Sequence, residues 1–290
     1  MRESIVRIFR CMGRTSRQAT AAIAAITTIA LAGAVNTATA AEVAPPDSAS
    51  LLVIAYQASL EGRPRFLQLL ASEQSERFAG WGKNGVLERY QLLVNRYTDE
   101  GTWDAMAVLT FRDADQLARW HQIERTAPGG LEGAALKLTR SIQTAPVDLF
   151  RSAAAPRPRG HSVFAVIPYD YLVSLSDYEK YIDAYVIPQT QGWIDEQALQ
   201  SYSFYLARYP AARPWGALLV LEYTDDAALS RRPAVTAKVR ERLANIPSWK
   251  AISDNKQSVR TEGRLVVADD VTRSPPLEGR APGASSAGHP

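Results

Sequence analysis

Few side chains in this sequence are placed to do chemistry, and their spacing limits what that chemistry could be. In "RWHQIE", His121 stands beside Trp120 and three residues before Glu124. On a helix that spacing puts imidazole and carboxylate on one face, where a histidine can serve as a general base or a haem ligand. A half-exposed helical histidine without such a duty is the ordinary alternative. Asp170 lies between Tyr169 and Tyr171, just after a short apolar run. A carboxylate there can act as a base at a cleft mouth, or simply make a turn. The other histidines, His161 and His289, are too scattered for a multi-histidine metal site. The sequence has no nucleophile elbow, phosphate-binding loop, dinucleotide fingerprint or zinc-protease helix. No metal and no cofactor are expected.

Two strand-like runs, Val86–Tyr97 and Ala198–Tyr209, carry the other candidates. Their even positions, Tyr90, Leu92 and Val94 in one and Tyr202, Phe204 and Leu206 in the other, form an apolar face suited to packing under helices. The odd positions mix polar and apolar groups and should face a cleft between sheets. Arg89, Gln91, Ser203 and Tyr205 are therefore candidate ligand-binding residues, because a small-molecule pocket needs apolar walls with a few polar groups. Pairing across an interface is the competing explanation. An open cleft makes a charge at Leu93 or Tyr205 tolerable, whereas one at Leu92 or Phe204 should unfold its sheet.

These runs belong to a longer internal match. At a constant offset of 112, residues 80–119 and 192–231 align without a gap and agree at thirteen of forty positions. Background composition would supply about two or three. The shared residues include Gly80/Gly192, Trp81/Trp193, Arg96/Arg208, Tyr97/Tyr209 and Trp103/Trp215. Trp81, Trp193, Trp103 and Trp215 read as packing anchors, and the Arg–Tyr pairs as strand-end packing and hydrogen bonding. Each copy has the same predicted order. A buried strand ("LLVIAY" or "VFAVIPY") leads to a helix, then to a strand pair (the second strands Trp103–Phe111 and Trp215–Tyr223), a second helix and a last strand. Ser176 and Glu179 suggest a capping box for the first helix of copy two, and Pro188 with Gly192 its end. Asp113 and Asp225 sit where N-caps belong, and Val235, Val239 and Leu243 keep helical spacing beyond Pro233. The last strands are expected within Ile142–Phe150 and Val259–Val267.

The order is βαββαβ twice, which predicts an α+β protein of two tandem ferredoxin-like units packed sheet to sheet as a pseudo-dimeric α/β barrel. On this order and duplication the chain resembles the dimeric α/β-barrel superfamily, whose members include EthD-like, NIPSNAP-like and antibiotic-biosynthesis monooxygenase-like proteins. The resemblance spans nearly all of residues 50–268. It implies a scaffold able to carry a cofactor-independent oxygenase, isomerase or lyase acting on an aromatic or polyketide-like compound. The asparagine–tryptophan–histidine set of haem-degrading relatives is not found in this sequence.

The expected domains are a signal peptide at 1–40, a flexible N-terminus at 41–49, repeats at 50–151 and 162–271, a linker at 152–161 and a disordered tail at 272–290. Five arginines, an apolar stretch from Ala21 to Val35 and small residues at Ala38 and Ala40 give the first segment its secretory pattern. A mitochondrial presequence is the rival. Cleavage near Ala40 would place the protein in the periplasm or outside the cell. It would lower 33 basic and 30 acidic side chains to 28 and 29, and the net charge from +3 to −1. That balance does not suit nucleic-acid binding, and the shortness of the apolar run leaves no expected membrane span. Cys11, the single cysteine, would go with the leader, so no disulfide or thiolate ligand would remain. Three functions stay open: an exported binder of a small apolar or aromatic molecule, an enzyme on the same scaffold, or a non-catalytic interaction module.

Overall fold

The computed structural model describes residues 41–42, 49–156 and 162–272. The leader-like segment, His161, His289 and the tail from residue 273 lie outside the described residues. The first half contains β1 (Ala41–Glu42), β2 (Ser50–Ala58), α1 (Arg63–Leu69), α2 (Ser75–Lys83), β3 (Arg89–Asn95), β4 (Ala105–Phe111), α3 (Ala114–Glu124), α4 (Gly133–Leu138) and β5 (Thr139–Ala154). The second contains β6 (Val163–Tyr171), α5 (Leu175–Tyr181), α6 (Ile187–Asp195), β7 (Leu199–Ala207), β8 (Ala217–Tyr223), α7 (Asp226–Ser230), α8 (Arg232–Leu243), α9 (Pro247–Asn255), β9 (Arg260–Glu262) and β10 (Val266–Asp270).

The strands form an eight-stranded antiparallel barrel in the order β5-β2-β4-β3-β10-β6-β8-β7, closed by β5 against β7. The halves therefore meet edge to edge, at β5·β7 and β3·β10, rather than as two sheets stacked face to face. Closure leaves none of these eight strands with an unpaired edge. Beside the barrel, β9 pairs with β6, and β1 pairs with Ala153–Ala154 of β5 inside the stretches expected to be flexible or linker.

Several local signals act as expected. Asp113 accepts a hydrogen bond from the Gln116 N–H at 2.9 Å and Asp225 one from the Ala228 N–H at 2.6 Å, capping α3 and α7. That bond is the main reason the Asp113 carboxyl is held below its ordinary value. The first helix of the second half departs from expectation. Its cap is Ser174, which accepts from the Asp177 N–H, and it runs through Pro188 and Gly192 to Asp195. A π-helical turn over Ile182–Val186 lies just before Pro188 and restarts the ladder, so the proline falls in a first turn where its missing N–H does no harm. The matching π-turn, Leu70–Gln74, lies 112 residues earlier in a helix without a proline at the matching position, so proline does not cause it. Gly192 is required by packing: a Cβ there would stand 2.6 Å from Val239 Cγ1 of α8. The second half's last strand is split into β9 and β10 and lies further along than expected.

Three apolar cores result. One lies under the helices of each half and the third fills the barrel. The face assignment from alternation matches the structure: Leu92 and Phe204 pack under helices, while Leu93 and Tyr205 point into the barrel. The open cleft does not survive. Leu51, Val53, Met106, Val166 and Leu218 from both halves meet Leu93 there, and Leu93 is fully buried. A charge at Leu93 or Tyr205 is therefore not tolerated, contrary to expectation, because both side chains are buried in the barrel core. Leu93→Asp should unfold the chain as Leu92→Asp does, and Leu93→Ala should cost about 3 kcal/mol in urea-unfolding free energy. A Leu93→Asp protein with the wild-type midpoint would show that the barrel is not filled.

Candidate functional site

The barrel interior is apolar along its middle and polar at one end. At the opposite end Trp103 and Trp215 pack against the interior core just before β4 and β8. On β8 the inward stripe runs Leu218, Val220, Glu222; on β7 it runs Ala207, Tyr205, Ser203, Ser201. The register sets Glu222 between Phe164 of β6 and Ser201 of β7. There its carboxylate accepts a hydrogen bond from the Ser162 hydroxyl at 2.6 Å and one from the Ser201 hydroxyl at 2.5 Å. The Gln200 amide donates to Ser162 Oγ at 2.7 Å, extending the chain of bonds to a buried residue. Ser162, Ser201, Ser203 and Glu222 are half-buried, so water and small solutes can reach this end.

Three of the four ligand-binding candidates gather around this cluster. Burial raises the Tyr205 phenol above its ordinary pKa, opposed by a hydrogen bond with Ser203 and by the positive charge of Arg89. Arg89 itself is exposed at the rim. The fourth, Gln91, donates to Asp270 Oδ2 at 3.0 Å, tying β3 to β10 at the same end of the barrel. The weak catalytic candidates are elsewhere. Asp170 is exposed near the tryptophan end, inside β6 and not in the expected turn, where it pairs with Thr261 of β9 and accepts from the Gly216 N–H at 3.0 Å. His121 is exposed on α3, where its charge lowers the pKa of half-buried Glu124 against the larger upward effect of burial. Glu222 was not among the expected site residues, although a lone acid on the stripe Leu218–Val220–Glu222 is visible in sequence.

The tryptophans and strand-end arginines resolve individually. Trp81 packs edge-on against Phe78 at 5.0 Å and Trp120 at 5.4 Å between centroids. Arg96 pairs with Asp269 at 2.6 Å and also with Asp226, while Arg208 pairs with Asp148 at 2.8 Å. Each arginine thus bridges one seam of the barrel. The expected packing of Tyr97 and Tyr209 is not found, since they are 64% and 63% exposed. Both follow strands that have already ended and so have no sheet face to pack on. Among the described residues, no cluster of three or more His, Cys, Asp or Glu side chains could hold a metal, and no helix is long and apolar enough to cross a membrane.

Behind the second sheet, Tyr171, Tyr178, Tyr181, Tyr185 and Trp249 form a continuous aromatic column with centroid spacings of 4.9–5.7 Å. The Arg260 guanidinium covers Tyr169 at 4.0 Å and donates to the Tyr181 hydroxyl at 2.8 Å. Burial pushes Tyr181 and Tyr223 up to about 12, with Arg260 and Arg232 respectively opposing the rise. Unfolded phenols ionise near pH 10. The raised native values therefore stabilise the fold fully below pH 10, and that contribution is lost as pH climbs through the native values. Tyrosinate absorbance should lag an unfolded control from about pH 10 to 12 and then rise together with loss of ordered structure. A smooth titration of all twelve tyrosines near pH 10 would contradict this packing.

No protein-family model matches the chain, and no curated protein matches it in sequence. Several solved structures are similar to it over most of their length. A protein from Lactobacillus acidophilus NCFM that carries a provisional monooxygenase name is 12% identical, with 78% of this chain and 95% of that one covered and a TM-score of 0.49. An anthrone oxidase-like protein is 11% identical, with 79% and 94% covered and a TM-score of 0.49. A heme-binding protein from Thermus thermophilus is 10% identical, with 79% and 95% covered and a TM-score of 0.41.

Proposed function

We propose that the chain is a small-molecule-binding protein of the dimeric α/β-barrel superfamily, made of two tandem ferredoxin-like units, with its ligand site at the polar end of the barrel. The observation that carries this reading is the Ser162–Glu222–Ser201 cluster, with Ser203 and Tyr205 beside it, in a barrel otherwise lined by apolar groups. Barrel closure does not need a half-buried carboxylate, and placing one there costs free energy. The two halves also differ at four of these positions. The counterparts of Glu222, Ser201, Ser203 and Tyr205 at the offset of 112 are Thr110, Arg89, Gln91 and Leu93, whereas Trp103/Trp215 and Arg96/Arg208 are the same in both. Such asymmetry suits one working site on a symmetric frame.

The fitting ligand has an apolar or aromatic body and an edge that donates hydrogen bonds to Glu222, with Arg89 at the rim for an anionic substituent. Binding is favoured over proton abstraction because both Glu222 oxygens already accept from hydroxyls. The filled barrel favours a second reading, an interaction module without a ligand. Export, with cleavage near Ala40, belongs to the same proposal. Secreted or periplasmic protein should begin at or within a few residues of Ala41, and an intact Met1 on cytosolic protein would remove export.

Untargeted mass spectrometry of compounds extracted from the purified mature chain separates the two readings. A bound compound should accompany the wild type, and Glu222→Gln or Ser201→Ala should weaken its retention by about tenfold. Folded wild-type protein carrying nothing, or variants carrying the same load, would leave the interaction module as the better account.

A further inference from the structure

A second site lies on the helix-covered side of the sheet, in a groove of about 400 Å³ lined by Trp193, Arg232, Pro233, Thr236, Ala237 and Arg240. The close approach of α6 to α8 at Gly192 fixes one wall. Arg240 Nε donates to Gln189 Oε1 at 2.8 Å, which holds its guanidinium at the groove. No acidic side chain lines it, and the nearby Glu196 is paired with Lys238 and Arg242.

One buried polar atom here lacks a partner. Trp193 is 7% exposed, yet its indole N–H donates to nothing. Arg232 stands beside the Tyr223 hydroxyl and opposes the rise in its pKa by its charge and by a side-chain hydrogen bond. Arg232 and Pro233 open the 12-residue helix α8, whose N-terminus has no side-chain cap. Buried donors are normally satisfied, and one unpaired donor beside two guanidinium groups and a positive helix end, with no acid in the lining, forms an environment complementary to an anion.

We propose that this groove binds a small organic carboxylate. Its anionic group would be held by Arg232 and Arg240 with the Trp193 indole N–H, and its apolar body would lie against Pro233 and Ala237. A planar carboxylate matches the donor fork of a guanidinium better than a round anion does.

The test is a titration of the mature chain, labelled with nitrogen-15 at tryptophan, with sodium benzoate. Benzamide and sodium sulfate serve as comparison probes. The indole resonance lost in Trp193→Phe should shift saturably with benzoate and much less with either comparison probe. Arg232→Met should weaken that response about tenfold. Ala237→Trp, made at an exposed helix position so as to fill the groove, should abolish the response while leaving the unfolding midpoint in place. If Arg232→Met fails to fold, the Ala237→Trp result decides. No benzoate shift in folded wild-type protein would overturn the proposal. So would an equal shift with benzamide or with sulfate, or a response that survives Ala237→Trp.

Discussion

Everything in this molecule depends on two edge-to-edge strand pairings, β5 with β7 and β3 with β10. Each half alone is a four-stranded sheet with helices on one face, and its other face carries Leu51, Val53, Leu93 and Met106 or their partners. Such a sheet would expose both an apolar face and unpaired edge groups. Pairing the edges answers both problems in one step, because closure brings the apolar faces together inside. The long β5, sixteen residues, makes this possible: it pairs with β2 along its first part and with β7 along its second. On the other side, β10 sits between β3 and β6.

The seam ion pairs should be read with that in mind. Arg96–Asp269 and Arg208–Asp148 cross the two seams at related positions, and all four side chains are partly exposed. Exposed pairs of this kind contribute little to stability, about 0–1 kcal/mol. Their use is in matching one edge to another, since a slip in register would separate the charges and also turn the inward stripe outward. Hydrophobic filling supplies the stability, and the charges select the alignment.

Much of this was legible in the sequence because period-two alternation is a direct consequence of strand geometry. It placed Leu92 and Phe204 under helices and Leu93 and Tyr205 inside the barrel. Asp113 and Asp225 were legible as caps because an N-cap needs only local bonds. What stayed hidden depended on distant parts of the chain. Alternation says which way Leu93 points, but not that Met106, Val166 and Leu218 arrive to fill the space before it. Pro188 and Gly192 looked like a helix end because a local rule cannot anticipate a π-turn, nor the pressure of Val239 that demands a residue without a Cβ. Of the proposed site, Ser203 and Tyr205 are legible through their strand. Glu222 was missed because it lies on the neighbouring strand, where it reads as one acid in "LLVLEY".

The same reasoning explains why both candidate sites sit in the second half. The offset of 112 preserves the groups that close the barrel, and closure is a demand that both halves share. Residues at the barrel's polar end and along the α6–α8 groove are free of that demand. At the offset of 112 Glu222 corresponds to Thr110, and Arg232 of α8 to Trp120, a residue buried in the first half's core. The first half has spent the latter position on packing, with Trp120 against Phe78, Trp81 and Phe111. The second half fills its core with a tyrosine column instead, and α8 leaves its guanidinium groups at the groove. An aromatic position in one half can thus correspond to a charged one in the other: of the two unpaired buried indoles, Trp120 is enclosed in the first half's core, while Trp193 lines the groove beside Arg232.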